Sequence, residues 1–390
     1  MKVLMINVVC GIRSTGRICT DLATALEEQG NQVKIAYGRE NVPEQFQKYA
    51  VRIGNELDVK FHGVRARLFD GAGFGSKSAT LKFIEWVKKY DPDVIHLHNI
   101  HGYYINVEIL FQYLRSCGKR IIWTLHDCWA FTGHCTYFDF VGCKKWKNGC
   151  ERCPQKKEYP ASNGLDLSKK HYAMKKKLFT GILNLMIVTP SQWLADLVKQ
   201  SYLAEYPTQV IHNGVDTTVF KSTKSDVKQK YHCENKKIIL GVAAIWDRRK
   251  GLDTFIELAQ RLDDSYQIIL VGLNSKQIEE LPSNVIGIER TNSVQELVKL
   301  YSAADVFVNP TLEDNYPTTN IEAIACGTPV ITYETGGSPE SALMYGECVE
   351  KGNIEGLIKK IEKISKLALQ SIDIDGKNTI QKYIQIYGEG

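Results

Sequence analysis

Residues 311–331 read TLEDNYPTTNIEAIACGTPVI, and the order of loop, helix and strand in this stretch decides the fold class. An acidic pair, Glu313 and Asp314, precedes a short helical pattern that carries a further acid, Glu322. The pattern closes on Gly327 and enters an apolar strand through Pro329. A helix N-terminus offers unpaired N–H groups and the positive end of a dipole, which suits a phosphate or polyol ligand. Carboxylates beside it can hold sugar and ribose hydroxyls while the amides face a diphosphate. The same residues also read as a capped helix with solvated acids.

Outward from this segment, the same alternation runs along the chain. Strand patterns fall at 2–9, 32–37, 94–98, 120–125, 185–188 and 209–211, with helical patterns at 17–29, 79–90, 106–116 and 191–200 between them. The alternation restarts at 237–242 and continues through 252–262, 267–271, 285–288, 294–303 and 306–309 to 330–332. Near-continuous apolar strands alternating with helices predict a parallel sheet covered on both faces. Two such sets predict an α/β chain of two doubly wound, Rossmann-like domains facing across a cleft. The expected spans are 1–216 for the first domain, 217–236 for a polar linker and 237–375 for the second, which carries the 311–331 segment. Residues 376–390 would form a tail, read as a helix returning to the first domain. Ligands of such sheets bind beyond the carboxyl ends of the strands.

At 390 residues the chain exceeds the size at which one core stops growing. Its 44% hydrophobic and 24% charged content is that of a globular protein. No stretch approaches the ~20 apolar residues of a membrane span, and the N-terminal run lacks the shape of a signal peptide. Eleven cysteines without such a signal point to a reducing, cytoplasmic compartment. Charge is uneven: residues 1–220 hold 29 basic against 20 acidic side chains, whereas 221–390 hold 20 against 24. Eleven of the basic residues lie in 144–177, a segment expected to rest on anionic lipid or to be a solvated face. No nucleic-acid motif accompanies it.

Four further constellations bear on chemistry. Gly11 and Gly16 lie in a turn between strand and helix, where glycine lets backbone approach a phosphate. Arg248, Arg249 and Lys250 follow the strand 237–242, and consecutive cations there suit a departing diphosphate. His96, His98 and His101 follow one strand, and His126-Asp127 the next. Cys135, Cys143, Cys150 and Cys153 lie in one long loop, and their CxxC pair suggests a structural zinc, with free thiols or disulfides as rivals.

The segment Glu322–Val330, EAIACGTPV, resembles the donor-site signature of the retaining glycosyltransferases of family 4. Val210–Asp216, VIHNGVD, is similar to that family's "IxNGVD" marker, and Gly16–Leu26 to its "GRxxxDLAxAL" helix. The resemblance covers nearly the whole chain and implies the GT-B fold. It implies sugar transfer from a nucleotide diphosphate sugar with retention of configuration and no catalytic metal. It further assigns Glu322 to the donor ribose, Asp314 (or Glu313) to the transferred sugar, and Asn315, Thr318 and Thr319 to donor binding. Lys250 with Arg248 or Arg249 would stabilise the leaving diphosphate, helped by amides near Gly16, and His126 would line the reaction centre. Ile245 stands where the family usually has arginine, and Pro317 where many members have glycine. The loop HDCWAFTGHCTYF resembles the branch that builds bacterial capsular or exopolysaccharide repeat units. The acceptor would then be a glycan on a polyprenyl diphosphate, and the enzyme peripheral on the inner face of the membrane. A non-catalytic scaffold of the same fold, or a nucleotide-sugar epimerase, stays open as an alternative.

Overall fold

The computed structural model describes residues 1–364 and 372–388; the expected second-domain and tail spans also include 365–371 and 389–390, which lie outside the described residues. The chain forms two units. Met1–Ile211 and Ile380–Gly390 make unit 1, and His212–Thr379 makes unit 2.

Unit 1 is built on β1 (Lys2–Ile6), β2 (Gln32–Tyr37), β3 (Ala50–Arg52), β4 (Val94–Leu97), β5 (Arg120–Thr124), β6 (Leu185–Thr189) and β7 (Thr208–Val210). They pair in the order β3-β2-β1-β4-β5-β6-β7, all parallel. Successive residues of β1 point to opposite faces, and both faces are covered. Leu4 and Ile6 join Ile95, Ile121 and Trp123 in one core, while Val3 and Met5 join Leu22, Leu26 and Ile122 in another. This two-sided burial is why the strand reads as an unbroken apolar run.

Unit 2 repeats the plan with β8 (Lys237–Val242), β9 (Tyr266–Val271), β10 (Val285–Ile288), β11 (Val306–Asn309), β12 (Val330–Tyr333) and β13 (Gly346–Val349). Their order is β10-β9-β8-β11-β12-β13, again parallel. Residues 217–236, expected as a linker, belong to this unit: Phe220, Val227 and Cys233 are buried in its core.

The last helix, Gly376–Gly388, begins in unit 2 and ends in unit 1. In unit 1 its Tyr383, Ile386 and Tyr387 are buried against β1, β2 and β5 residues. The Tyr387 hydroxyl meets His96 Nδ1 at 2.6 Å, and Arg120 Nε donates to the Ile386 carbonyl at 2.7 Å. Strand order reverses between β1 and β4 in unit 1 and between β8 and β11 in unit 2. In open parallel sheets ligands bind at such a reversal, outside the carboxyl ends of the strands.

Candidate active site

In unit 2 the candidate site is built by the loops after β8 and β11, which pack against each other. Asp247 caps the tight turn Arg248–Lys250 by accepting the Lys250 N–H at 3.0 Å. The next residue, Gly251, has φ +78°, and a Cβ there would sit 2.3 Å from the Pro310 carbonyl oxygen. Only glycine lets the two loops dovetail. The Leu312 N–H donates to the Arg249 carbonyl at 2.7 Å, and Arg249 Nη1 to the Glu313 carbonyl at 2.9 Å. Lys250 Nζ hydrogen-bonds the Asp314 carboxylate, with both side chains largely covered. Asp314 also accepts the Asn315 N–H at 2.9 Å. Each charge is thereby the other's counter-ion, which avoids the penalty of a half-buried lone ion. Arg248 is exposed, and so is Ile245 at 69%.

Thr318 and Thr319 form the first turn of the helix Thr318–Ala325, with Pro317 as its N-cap. Proline costs little here, because first-turn N–H groups have no intrahelical partner. Glu322 lies in the second turn rather than at the helix start, and is buried. The hydroxyl of Tyr301, itself fully buried, donates to Glu322 Oε2 at 3.0 Å. Burial first, and then the Glu322 charge, hold the Tyr301 hydroxyl well above its usual pKa, so it stays a donor. Asn320 anchors the same helix by accepting from Asn309 Nδ2 (2.8 Å) and donating to the Ser341 hydroxyl (2.9 Å).

Sequence reasoning did not find Gly336 and Gly337. Gly336 has φ +55°, and a Cβ there would sit 1.8 Å from the Asp314 carbonyl oxygen. The Gly337 N–H donates to that oxygen at 3.2 Å. A Gly-Gly pair after β12 and before Ser338-Pro339, where the helix Ser338–Ala342 starts, was the available signal. Nor was Tyr301 singled out, since its sequence neighbourhood reads as plain core. The VIHNGVD marker is a backbone strut. Val215 pairs with Asp375, a Cβ on Gly214 would lie 2.6 Å from Gly376 Cα, and His212 stacks on Tyr316 at 4.8 Å.

In unit 1, Gly16 sits inside the helix Arg13–Glu28 rather than in the preceding turn. Its carbonyl accepts the Gly11 N–H at 3.1 Å, and a Cβ on it would press within 3.1 Å of Val9 Cγ2. His96 is architectural, bonded to Tyr387 and to Thr124 Oγ1. His98 Nδ1 meets His126 Nε2 at 3.1 Å, while His98 Nε2 is buried without a hydrogen-bond partner among the described residues. Burial pushes His126 down to about 4, so it is neutral at physiological pH. His101 bonds Asp127 at 2.8 Å and reaches the Tyr159 hydroxyl at 3.3 Å.

Comparison with known proteins fits this arrangement. A family profile described as "Glycosyltransferase Family 4" matches residues 15–219, and one described as "Glycosyl transferases group 1" matches 236–366. The chain belongs to glycosyltransferase family 4. Among its relatives is WcaC of Escherichia coli K12, described as a colanic acid biosynthesis glycosyl transferase. It is 26% identical over 355 residues, covering 87% of this chain and 85% of that one. A second relative is the N,N'-diacetylbacillosaminyl-diphospho-undecaprenol alpha-1,3-N-acetylgalactosaminyltransferase of Campylobacter jejuni, 27% identical over 40% of this chain and 45% of that one. The crystal structure of Anabaena Alr3699/HepE in complex with UDP matches with a TM-score of 0.68 and 15% identity over 99% of both chains. The fold is GT-B, and the protein is a glycosyltransferase.

In the cysteine loop of this glycosyltransferase two of the four thiols meet directly. Cys135 and Cys153 share a hydrogen bond, and Cys150 Sγ accepts the Gly133 N–H at 3.2 Å. Among the described residues no group of three or more His, Cys, Asp or Glu side chains is arranged to hold a metal. In the basic segment 144–177, several lysines bond to the protein itself. Lys175 is only 1% exposed: its Nζ lies 3.4 Å from the centre of the Trp129 ring and donates to the carbonyls of Trp129 (2.8 Å) and Thr132 (3.1 Å). Lys145, Lys147 and Lys156 donate to Glu151 and Arg152 carbonyls, the Gln200 side chain and the Gly164 carbonyl respectively. These lysines staple the loop.

Proposed function

We propose that this glycosyltransferase moves a sugar from a nucleotide diphosphate sugar, with retention of configuration, onto a glycan carried by a polyprenyl diphosphate. The product belongs to a capsular or exopolysaccharide, and the enzyme works peripherally at the inner face of the cell membrane. The observation that carries the donor half is the convergence of Lys250, Asp314 and the Tyr301-supported Glu322 around one strand-order reversal. In this reading a diphosphate draws Lys250 away from Asp314, which frees that carboxylate to accept sugar hydroxyls. Glu322, pinned by Tyr301, accepts from the ribose, and Arg248 or Arg249 shares the leaving charge with Lys250. Preorganised charge at the departing group is where such a site gains rate. Gly16, Asn315, Thr318 and Thr319 contribute donor contacts, and neutral His126 acts at the reaction centre without a catalytic metal. The polyprenyl acceptor is supported by the undecaprenol-linked substrate named for the Campylobacter relative, and the pathway by WcaC.

The test is a panel of UDP-, GDP- and ADP-sugars scored for hydrolysis and for thermal stabilisation, with the anomer of the released sugar read by NMR before it equilibrates. Glu322→Gln should weaken donor affinity by about 1.5–3 kcal/mol, the value of a charge-assisted hydrogen bond. Unchanged affinity in calorimetry removes Glu322 from the donor site. Stabilisation by a nucleotide without turnover of any sugar would favour the binding scaffold over the enzyme.

A further inference from the structure

The helix Glu56–Phe69 carries apolar side chains on the face opposite its core contacts. Inward, Ala66 and His62 are buried, His62 Nε2 accepting the Gly75 N–H at 3.0 Å, and Val59 packs on the core. Outward, Leu57 (62%), Phe61 (74%), Val64 (56%), Leu68 (50%) and Phe69 (52%) are exposed. At 3.6 residues per turn the first four fall within about 60° of one another, a continuous stripe on the solvent side. Hydrogen bonds from Asn163 N–H to the Arg67 carbonyl (2.8 Å) and from Leu165 N–H to the Leu68 carbonyl (3.1 Å) bring exposed Leu165 alongside. Exposed Lys60 and Arg67 flank the stripe on one side and Arg65 on the other, and no acid occurs from Val59 to Phe69.

An exposed apolar stripe of this extent needs an occupant. The helix is about 21 Å long at 1.5 Å per residue and too charged to span a bilayer. Among the described residues no helix is long and apolar enough to cross one. A convex apolar ridge with cations on both flanks matches an anionic lipid surface, where the ridge enters the acyl boundary and the cations stay among headgroups. We infer that the helix Glu56–Phe69 is the membrane-inserting element of this glycosyltransferase, taking anionic phospholipid as its partner. The inference rests on the peripheral-membrane part of the proposed function and not on its transfer chemistry.

Co-sedimentation of the full chain with vesicles of phosphatidylcholine alone, and with phosphatidylglycerol added, tests it. Binding is expected to require phosphatidylglycerol. The double variant Phe61→Ser/Leu68→Ser should lower partitioning at least about tenfold, and Lys60→Glu/Arg65→Glu by a similar factor that vanishes at high salt. Both variants alter exposed side chains, and circular dichroism confirms that they fold. Lys169→Glu/Lys170→Glu, in the rival basic segment, should leave binding within about twofold. Donor hydrolysis without vesicles should be unchanged in every variant; its absence from the wild type would count against the transfer reading alone. The inference falls if the wild type binds no vesicle, if Phe61→Ser/Leu68→Ser binds like wild type, or if the Lys169/Lys170 variant loses binding instead. It falls also if the wild type is a dimer without lipid that Phe61→Ser/Leu68→Ser dissociates, which would assign the stripe to a second copy.

Discussion

Replacing Lys175 by glutamate should unfold the cysteine loop, although a lysine in the run Lys175-Lys176-Lys177 looks replaceable in sequence. The side chain is enclosed, and burial pushes its ammonium down from 10.5 to about 7. Removing it leaves the Thr132 carbonyl without that donor and the Trp129 carbonyl with only the long Thr132 N–H bond at 3.4 Å, at about 1–3 kcal/mol for an unsatisfied group. The contact with the Trp129 face is also lost, worth about 2 kcal/mol when desolvated. Glutamate then brings an acceptor against two acceptors, with a further desolvation penalty if it ionises. Together these predict a loss of at least about 4 kcal/mol, whereas Lys176→Glu and Lys177→Glu should stay within about 0.5 kcal/mol. For a unit of this size that corresponds to a melting point lower by at least about 8 °C. Urea unfolding followed by tryptophan fluorescence, which includes Trp129, gives the comparison directly. Lys175→Met, which keeps the stem and removes the buried charge, should lose less. If Lys175→Glu unfolds within about 1 kcal/mol of wild type, the enclosed lysine contributes nothing and the reasoning fails.

Lys250→Ala should lower turnover by about 10²–10³, as loss of a group that stabilises a departing charge does; a change of only a few-fold would transfer that role to Arg248 or Arg249. Acid should weaken unit 1. His62, His126 and His171 are pushed by burial from 6.5 to about 4, and His96 to about 3. The unfolded chain therefore binds protons below pH 6.5 that the native chain refuses, and stability falls towards pH 4 by about 1.4 kcal/mol per pH unit for each group. A urea midpoint unchanged between pH 7 and pH 5 would contradict those burials. The Cys135–Cys153 pair leads us to expect far less than one zinc per chain in protein purified without added metal; a full equivalent would show that Cys143 and Cys150 complete a cage.

Much of the fold was legible because buried parallel strands leave little latitude: Lys237–Val242, Val285–Ile288 and Val306–Asn309 fall where the apolar runs fall. The helix Glu56–Phe69 escaped notice for the opposite reason. With apolar residues both inward and outward, it has no single apolar face, and one-sided periodicity is what sequence reading detects. The strand Ala50–Arg52 was too short to register. At the site, loop residues beside Gly251 were readable from charge and spacing. Tyr301 was not, because its partner Glu322 is 21 residues away and its hydroxyl acts only once Val294–Ala303 and Thr318–Ala325 are side by side. Lys175 shows the converse error: in a sequence, three adjacent lysines carry no mark of which one faces inward.

The course of the chain through its two units has a practical consequence for dissection. Residues 212–379 are contiguous, whereas unit 1 is completed only by the segment that returns at Ile380. In topological terms unit 2 is an insertion within unit 1. A gene fragment encoding His212–Thr379 can therefore be expressed as one piece, but a fragment ending at Ile211 leaves His96 without the Tyr387 hydroxyl and uncovers the Val3–Met5 face. Joining residue 211 to residue 380 through a short linker, or circularly permuting the chain to start at Ile380, would give unit 1 its missing helix. A C-terminal nonsense mutation just upstream of Tyr383 is thus equivalent to a core deletion in the N-terminal half of the protein.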